Sequence, residues 1–153
     1  MNMEEIRVFG VVEIRDRYGN PVLIKKNKIT KKGVEIFAKK LVDGLVEIEK
    51  VKVGTGTEIA TEDDTSLGSP LPFDFAIINR SSDRVGDKAF SVNYVSMIET
   101  DDPNTSFSFS EAGLFARDHE TSDILVARVV FPTKFKKPFN EYYLTWKIIL
   151  RID

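Results

Sequence analysis

Apolar and polar positions alternate along most of this chain, and a period of two marks strands that bury one face. Val8 to Ile14 and Pro21 to Lys28 are two β-rich runs separated by Arg15-Asp16-Arg17-Tyr18-Gly19-Asn20. Gly19 and Asn20 suit the positive φ of a tight turn, so the pair predicts a hairpin. Glu47 to Val53 interleaves Ile48, Val51 and Val53 with Glu and Lys, and Phe73, Phe75 and Ile77 alternate in a further strand closed by a turn region from Asn79 to Asp87. Phe90, Val92, Tyr94 and Ile98 mark one face of the next strand, which Asp101-Asp102-Pro103-Asn104 ends. The last strands are Ser106 to Phe109 leading into Glu111 to Phe115, then Ile124 to Phe131, then Tyr142 to Arg151. In Tyr142 to Arg151, Leu144, Trp146, Ile148 and Leu150 share one face, which places the only tryptophan in the core rather than on a binding surface.

One stretch departs from this period. After Thr30, a good N-cap, Val34, Phe37, Ala38, Leu41, Val42 and Leu45 recur at three-and-four spacing, and Gly44 is placed to end the helix. Lys32, Glu35, Lys39, Lys40 and Asp43 occupy the other side, so the expected arrangement is a helix lying on a β-layer with that apolar face buried. Consecutive apolar residues at Ile124-Leu125-Val126 and Val129-Val130-Phe131 imply a strand covered on both faces, by the helix or by a neighbouring subunit. The fold class expected is mainly β, an antiparallel β-sandwich or barrel of about eight strands with one amphipathic helix. Its 153 residues fit a single domain over 1–153.

Between two of the strands lies an unusually long connection. Gly54-Thr55-Gly56-Thr57, the acidic segment Glu58 to Gly68, and Ser69-Pro70-Leu71-Pro72 together exceed the common loop length of about 4–6 residues. Long loops in compact domains are usually functional or ordered by a partner. Gly54, Thr55, Gly56, Thr57, Asp64, Thr65, Leu67, Pro70 and Pro72 are therefore the candidate subunit or partner contacts. Gly54 and Gly56 would give the loop conformations that other residues resist, and Gly113 would permit a tight bend between strands.

Composition narrows the chemistry. With 24 acidic and 22 basic side chains the net charge is −2, which supplies no overall field toward nucleic acid or an anionic membrane. Lys25, Lys26, Lys28, Lys31 and Lys32 form a basic run without Arg or aromatic residues, which reads as a solvated strand-to-helix junction. The chain has no cysteine, which removes disulfides, thiolate nucleophiles and the usual zinc sites. His119, the single histidine, lies in the polar segment Arg117 to Asp123, and no Gly-x-Ser-x-Gly elbow accompanies it. Glu58, Glu62, Asp63 and Asp64 follow the glycine pair where a phosphate loop would need helix amides, and their spacing matches no EF-hand. Met1 to Arg7 lacks the apolar stretch of a signal peptide, and no run approaches the ~18 apolar residues of a membrane span, so a soluble protein is expected. Glutamine is absent while Lys, Glu and Ile abound, a thermophilic bias. The expectation is a non-enzymatic protein with no cofactor, metal, nucleic-acid or membrane partner.

Three segments together resemble bacteriophage tail-fibre and minor tail structural proteins. Val51-Lys52-Val53-Gly54-Thr55-Gly56-Thr57 followed by Asp64-Thr65-Ser66-Leu67 is similar to that family's strand-GTGT-loop-DTxL signature. Ser110-Glu111-Ala112-Gly113-Leu114-Phe115 is similar to its EAGLF element. Leu125-Val126-Ala127-Arg128-Val129-Val130-Phe131-Pro132 and Leu144-Thr145-Trp146-Lys147-Ile148 are similar to its LARVVF and LTW strands, and Asn27 to Gly33 to the entry of its helix. The colinear resemblance spans about residues 22–150 and departs from the pattern at Ala60-Thr61. It implies a virion component, made in the host cytoplasm, that self-associates, as a trimer by expectation, and docks on other virion proteins of the tail or the major capsid protein. A capsid decoration protein is the alternative within that class, and a carbohydrate-binding adhesin the alternative outside it.

Overall fold

The computed structural model describes residues 5–152. Its eight strands are β1 (Ile6–Arg15), β2 (Pro21–Ile29), β3 (Glu47–Gly54), β4 (Pro70–Gly86), β5 (Ala89–Ile98), β6 (Phe107–Arg117), β7 (Ile124–Lys136) and β8 (Tyr142–Ile152), with a single helix, α1 (Lys31–Asp43). They close into one antiparallel barrel in the order β1-β2-β7-β6-β3-β4-β5-β8. Of the two architectures the alternation allowed, closure leaves the fewest unpaired strand edges.

Two strands make the corners. β2 pairs with β1 from Pro21 to Asn27 and then with β7 through Lys28 and Ile29. β4 pairs with β3 from Pro70 to Ala76 and with β5 from Ile77 to Gly86, with a register shift at Ile77/Asn79. β4 therefore begins at Pro70 and runs through Asn79 to Gly86, where the sequence predicted loop and turn. Pro70 stands opposite Gly54 at the start of the strand, a position where its missing N–H costs little. Phe107 to Phe109 and Glu111 to Phe115 belong to one continuous strand, as the pattern that led one into the other suggested, with a bulge between Phe109 and Glu111, while Ser106 stays outside it.

Val12, Ile14, Val51, Val53, Ile98, Leu114, Leu144, Trp146 and Ile148 are buried inside the barrel, Trp146 included as its periodicity required. Eight strands leave an interior that side chains of this size can fill. One end is packed with aromatic rings: Phe73 and Phe107 lie 5.0 Å apart, and Phe109 meets Phe131 edge-on at 5.7 Å.

The other end carries α1, and here the sequence reading needs correction. Thr30 caps the helix as expected, its Oγ1 accepting from the Gly33 N–H at 2.9 Å, and Gly44 ends it at φ 70°. The buried positions, however, are Gly33 and Ile36, with Phe37 half-buried. Val34, Leu41, Val42 and Leu45, the expected inner face, point to solvent, with Leu41 90% and Val42 87% exposed. The rotation is set at the helix entry. The Thr30 hydroxyl donates to the Leu125 carbonyl at 2.6 Å and its N–H to the Val126 carbonyl at 2.9 Å, tying the first turn to β7. Gly33 then lies so close to the Val126 carbonyl that any Cβ would collide with it. Only the glycine side of the helix can make that approach, so the apolar stripe is turned outward.

Candidate functional site

The long connection, residues 55–69, folds back over the outer face of β6 and β7. On β6, Ala112, Leu114 and Ala116 face the barrel interior, so Glu111, Gly113 and Phe115 face outward beneath the loop. Gly113 stands opposite Arg128 of β7 in the ladder.

Glu111 is fully buried and its carboxylate organises the loop. Oε2 accepts the Gly56 N–H at 2.5 Å and the Ser69 N–H at 2.8 Å, and Oε1 accepts the Gly68 N–H at 2.7 Å and Arg128 Nε at 3.1 Å. One side chain thus joins both ends of the loop. Arg128 extends the network, its Nη1 donating to Asp64 Oδ2 at 2.9 Å, and Asp64 in turn accepts from the Thr61 N–H and hydroxyl, each at 2.9 Å. The Ser110 hydroxyl donates to the Gly56 carbonyl at 2.9 Å, and Thr55 N–H to Ser69 O at 2.9 Å closes the base of the loop.

Burial disfavours the charged form of Glu111, but the amides of Ser69, Gly68 and Gly56 and the Arg128 guanidinium outweigh it and hold the carboxyl below its usual range. Asp64 follows the same pattern: burial opposes ionisation, and the Thr61 N–H and Arg128 bring its pKa down. A buried carboxylate with four donors, three backbone amides and a guanidinium, is a fully committed group.

Three glycines explain why this carboxylate can sit where it does. A Cβ on Gly54 would come within 2.7 Å of Glu111 Oε2, one on Gly56 within 2.7 Å of its Cδ, and one on Gly68 within 3.3 Å of Arg128 Nη2. The positive-φ glycines are Gly19 and Gly44, so Gly54 and Gly56 are needed for close approach, not for an unusual backbone conformation. Gly113 is not at a bend either. It lies within β6, where a Cβ would press Leu125 and Phe115 at 2.8 Å and Leu67 at 2.9 Å. Leu67, Phe115 and Leu125 form a small apolar cluster of their own, which seals the loop against the barrel.

The candidate contact residues therefore divide. Gly54, Gly56 and Leu67 are buried within the chain and Asp64 is bound to Arg128, whereas Thr55, Thr57, Thr65, Pro70 and Pro72 remain exposed. The loop is ordered by Glu111 and Arg128 of its own chain, and it is also the second cover of β7 that the apolar run Ile124-Leu125-Val126 required, together with α1. The acidic residues do not converge: Asp63 pairs with Lys31 at 2.7 Å and Asp64 with Arg128, and no cluster able to hold a metal ion occurs among the described residues. His119 is exposed in the β6–β7 connection, 3.6 Å from Glu120.

Glu111 and Arg128 are the residues sequence reasoning missed. Both lay inside quoted motifs, and a charged residue in the middle of a strand otherwise buried on both faces was the available signal. No protein-family model, curated protein or solved structure matches this chain.

Proposed function

We propose that this chain is a non-enzymatic structural protein of a tailed-virus particle, tail-fibre or tail-associated, that acts by self-assembly and docking. The observation that carries this reading is the convergence of the motif residues. Gly54 and Gly56 of the GTGT segment, Asp64 and Leu67 of DTxL, Glu111 and Gly113 of EAGLF, and Arg128 of LARVVF are distant in sequence yet meet in one buried latch. The segments that carry the family resemblance are thus the ones that fix a single loop to the barrel, a role in shape and stability. Glu111 is buried and each of its carboxylate oxygens accepts two hydrogen bonds, from Arg128 and three backbone amides, a poor arrangement for substrate chemistry.

The apolar surface gives further support. Val34, Leu41, Val42 and Leu45, on α1 and just after it, are exposed, apolar side chains that a partner surface could cover. Immunogold electron microscopy of particles from the native host, using antibody to this chain, tests the proposal. Label on the tail is expected; label on the shell would transfer the chain to the decoration class, and label at neither place would refute the virion role.

A further inference from the structure

The fold sorts the basic run Lys25 to Lys32 into two groups. Lys31 pairs with Asp63 and Lys32 with Glu35, whereas Lys25, Lys26 and Lys28 carry no ion pair among the described residues. These three lie where β2 changes partner. β2 pairs with β7 only through Lys28↔Arg128 and Ile29↔Ala127, so no ladder forms between Lys25 to Asn27 and the β7 residues beyond Arg128. A cleft of about 480 Å³ opens there, with Val129 and Val130 on its β7 side and Thr57, Ile59 and Ala60 of the long loop on another.

The walls of this cleft contain lysines and no carboxylate; Glu58, between Thr57 and Ile59 in the chain, is not part of them. Arg128 lines the cleft too, with Glu111 and Asp64 as its counter-ions, and the three lysines outnumber what remains of that negative charge. The Lys25 ammonium, without a carboxylate, donates to the Val130 carbonyl in the wall. Uncharged and buried donors join them. The Thr57 hydroxyl has no partner among the described residues. The Asn27 carboxamide, packed over Gly10, is buried with both its oxygen and its nitrogen unpartnered. Arg128 is 3% exposed, and while its Nε and Nη1 serve Glu111 and Asp64, its Nη2 has no partner. Buried polar groups are nearly always paired in folded proteins, so two unpaired ones on a single basic cleft point to a ligand there.

We propose that the cleft between β2, β7 and the long loop binds a phosphate group, as the free ion or carried on a small molecule. Lysine ammonium groups bind phosphate as point charges, and hydrogen bonds to ionised groups are about twice as strong as neutral ones. A phosphate group offers three strong acceptor oxygens and nearly two negative charges, against two oxygens and one charge for a carboxylate, which suits a place where several lysines converge. The volume suits a small molecule as well as the ion, and Ile59, Ala60, Val129 and Val130 supply apolar wall for its uncharged part. This inference goes beyond the virion reading and does not depend on it.

The test follows the amide chemical shifts of the full, isotope-labelled chain as inorganic phosphate or glycerol phosphate is added at constant ionic strength, with glycerol as the uncharged control. Saturable shifts centred on residues 25–28, 57–60 and 128–130 are expected below about 10 mM phosphate. The double variant K26A/K28A should weaken binding by about tenfold or more, as loss of charge-assisted contacts requires. The control K88A/K137A removes the same charge elsewhere and should bind like wild type; all four lysines are exposed, so neither variant opens the core. Tighter binding of glycerol phosphate than of inorganic phosphate would assign the site to a phosphorylated small molecule, equal or weaker binding to the free ion, and both support it. Absence of a saturable shift, shifts centred on another face, or equal weakening in both double variants would overturn the proposal. Should K26A/K28A fail to fold, the wild-type shift map decides alone.

Discussion

Replacing Glu111 by Gln tests whether the latch rests on a charge or only on a shape. The two side chains are nearly isosteric, but the amide has one acceptor oxygen where the carboxylate has two. Oε2 serves Gly56 and Ser69, while Oε1 serves Gly68 and Arg128. Whichever way the amide is turned, its NH2 faces two donors and both bonds are lost. If Arg128 is one of them, its buried guanidinium keeps only Asp64. An unsatisfied buried donor costs about 1–3 kcal/mol, and breaking a buried ion pair from one side about 3–5 kcal/mol. A loss of about 3–5 kcal/mol is expected, which for a chain of this size lowers Tm by about 10–15 °C. Thermal and urea unfolding followed by circular dichroism measure it, and limited proteolysis should show cleavage moving into residues 55–69. A variant within about 1 kcal/mol of wild type, with its loop still protected, would refute the latch. The pH dependence has a definite sign. Because the folded-state pKa of Glu111 is depressed, its contribution is complete above the unfolded value near 4.3 and is lost as pH falls through the folded value. Wild-type stability should therefore fall on acidification below about pH 4.3, and the glutamine variant should show a shallower fall over the same range.

Other outcomes follow from the same geometry. Gly113→Ala inserts a methyl against Leu125, Phe115 and Leu67 and should cost about 1–3 kcal/mol in chemical denaturation, with no change in far-ultraviolet dichroism. Ile36→Ala should destabilise by about 2–5 kcal/mol while Leu41→Glu stays within about 0.5 kcal/mol of wild type in urea unfolding, since Ile36 is buried and Leu41 is exposed; the reverse order would restore the helix face the periodicity suggested. Lys136, buried at the aromatic end, pairs with Glu99 at 2.8 Å and donates to the Lys137 carbonyl at 2.8 Å. Lys136→Ala should leave Glu99 without its cation and lower stability by about 3–5 kcal/mol, read by the same unfolding curves.

The strands were legible because alternation is a local signal. A residue's side in a strand depends only on its parity, so Leu144, Trp146 and Ile148 could be placed in the core without knowing any partner. The cap at Thr30 and the stop at Gly44 were legible for the same reason, being set by residues within one turn. What lay beyond a one-dimensional pattern was every choice that depends on a second segment. Barrel rather than sandwich was settled by β2 and β4 changing partners midway, which places Asn79 to Gly86 in a ladder although no apolar alternation marks them. The helix face was decided by the Val126 carbonyl, against which only Gly33 fits, so counting apolar residues at three-and-four spacing selected the wrong side. Glu111 and Arg128 could be read as motif letters, but their purpose appears only when β6 and β7 lie side by side and the loop closes over them. Sequence alone determined which residues prefer the core, because transfer from water is a property of each side chain. Only the tertiary structure decided which of two apolar faces is covered and which buried charges are paired, because those energies belong to contacts between segments distant in the chain.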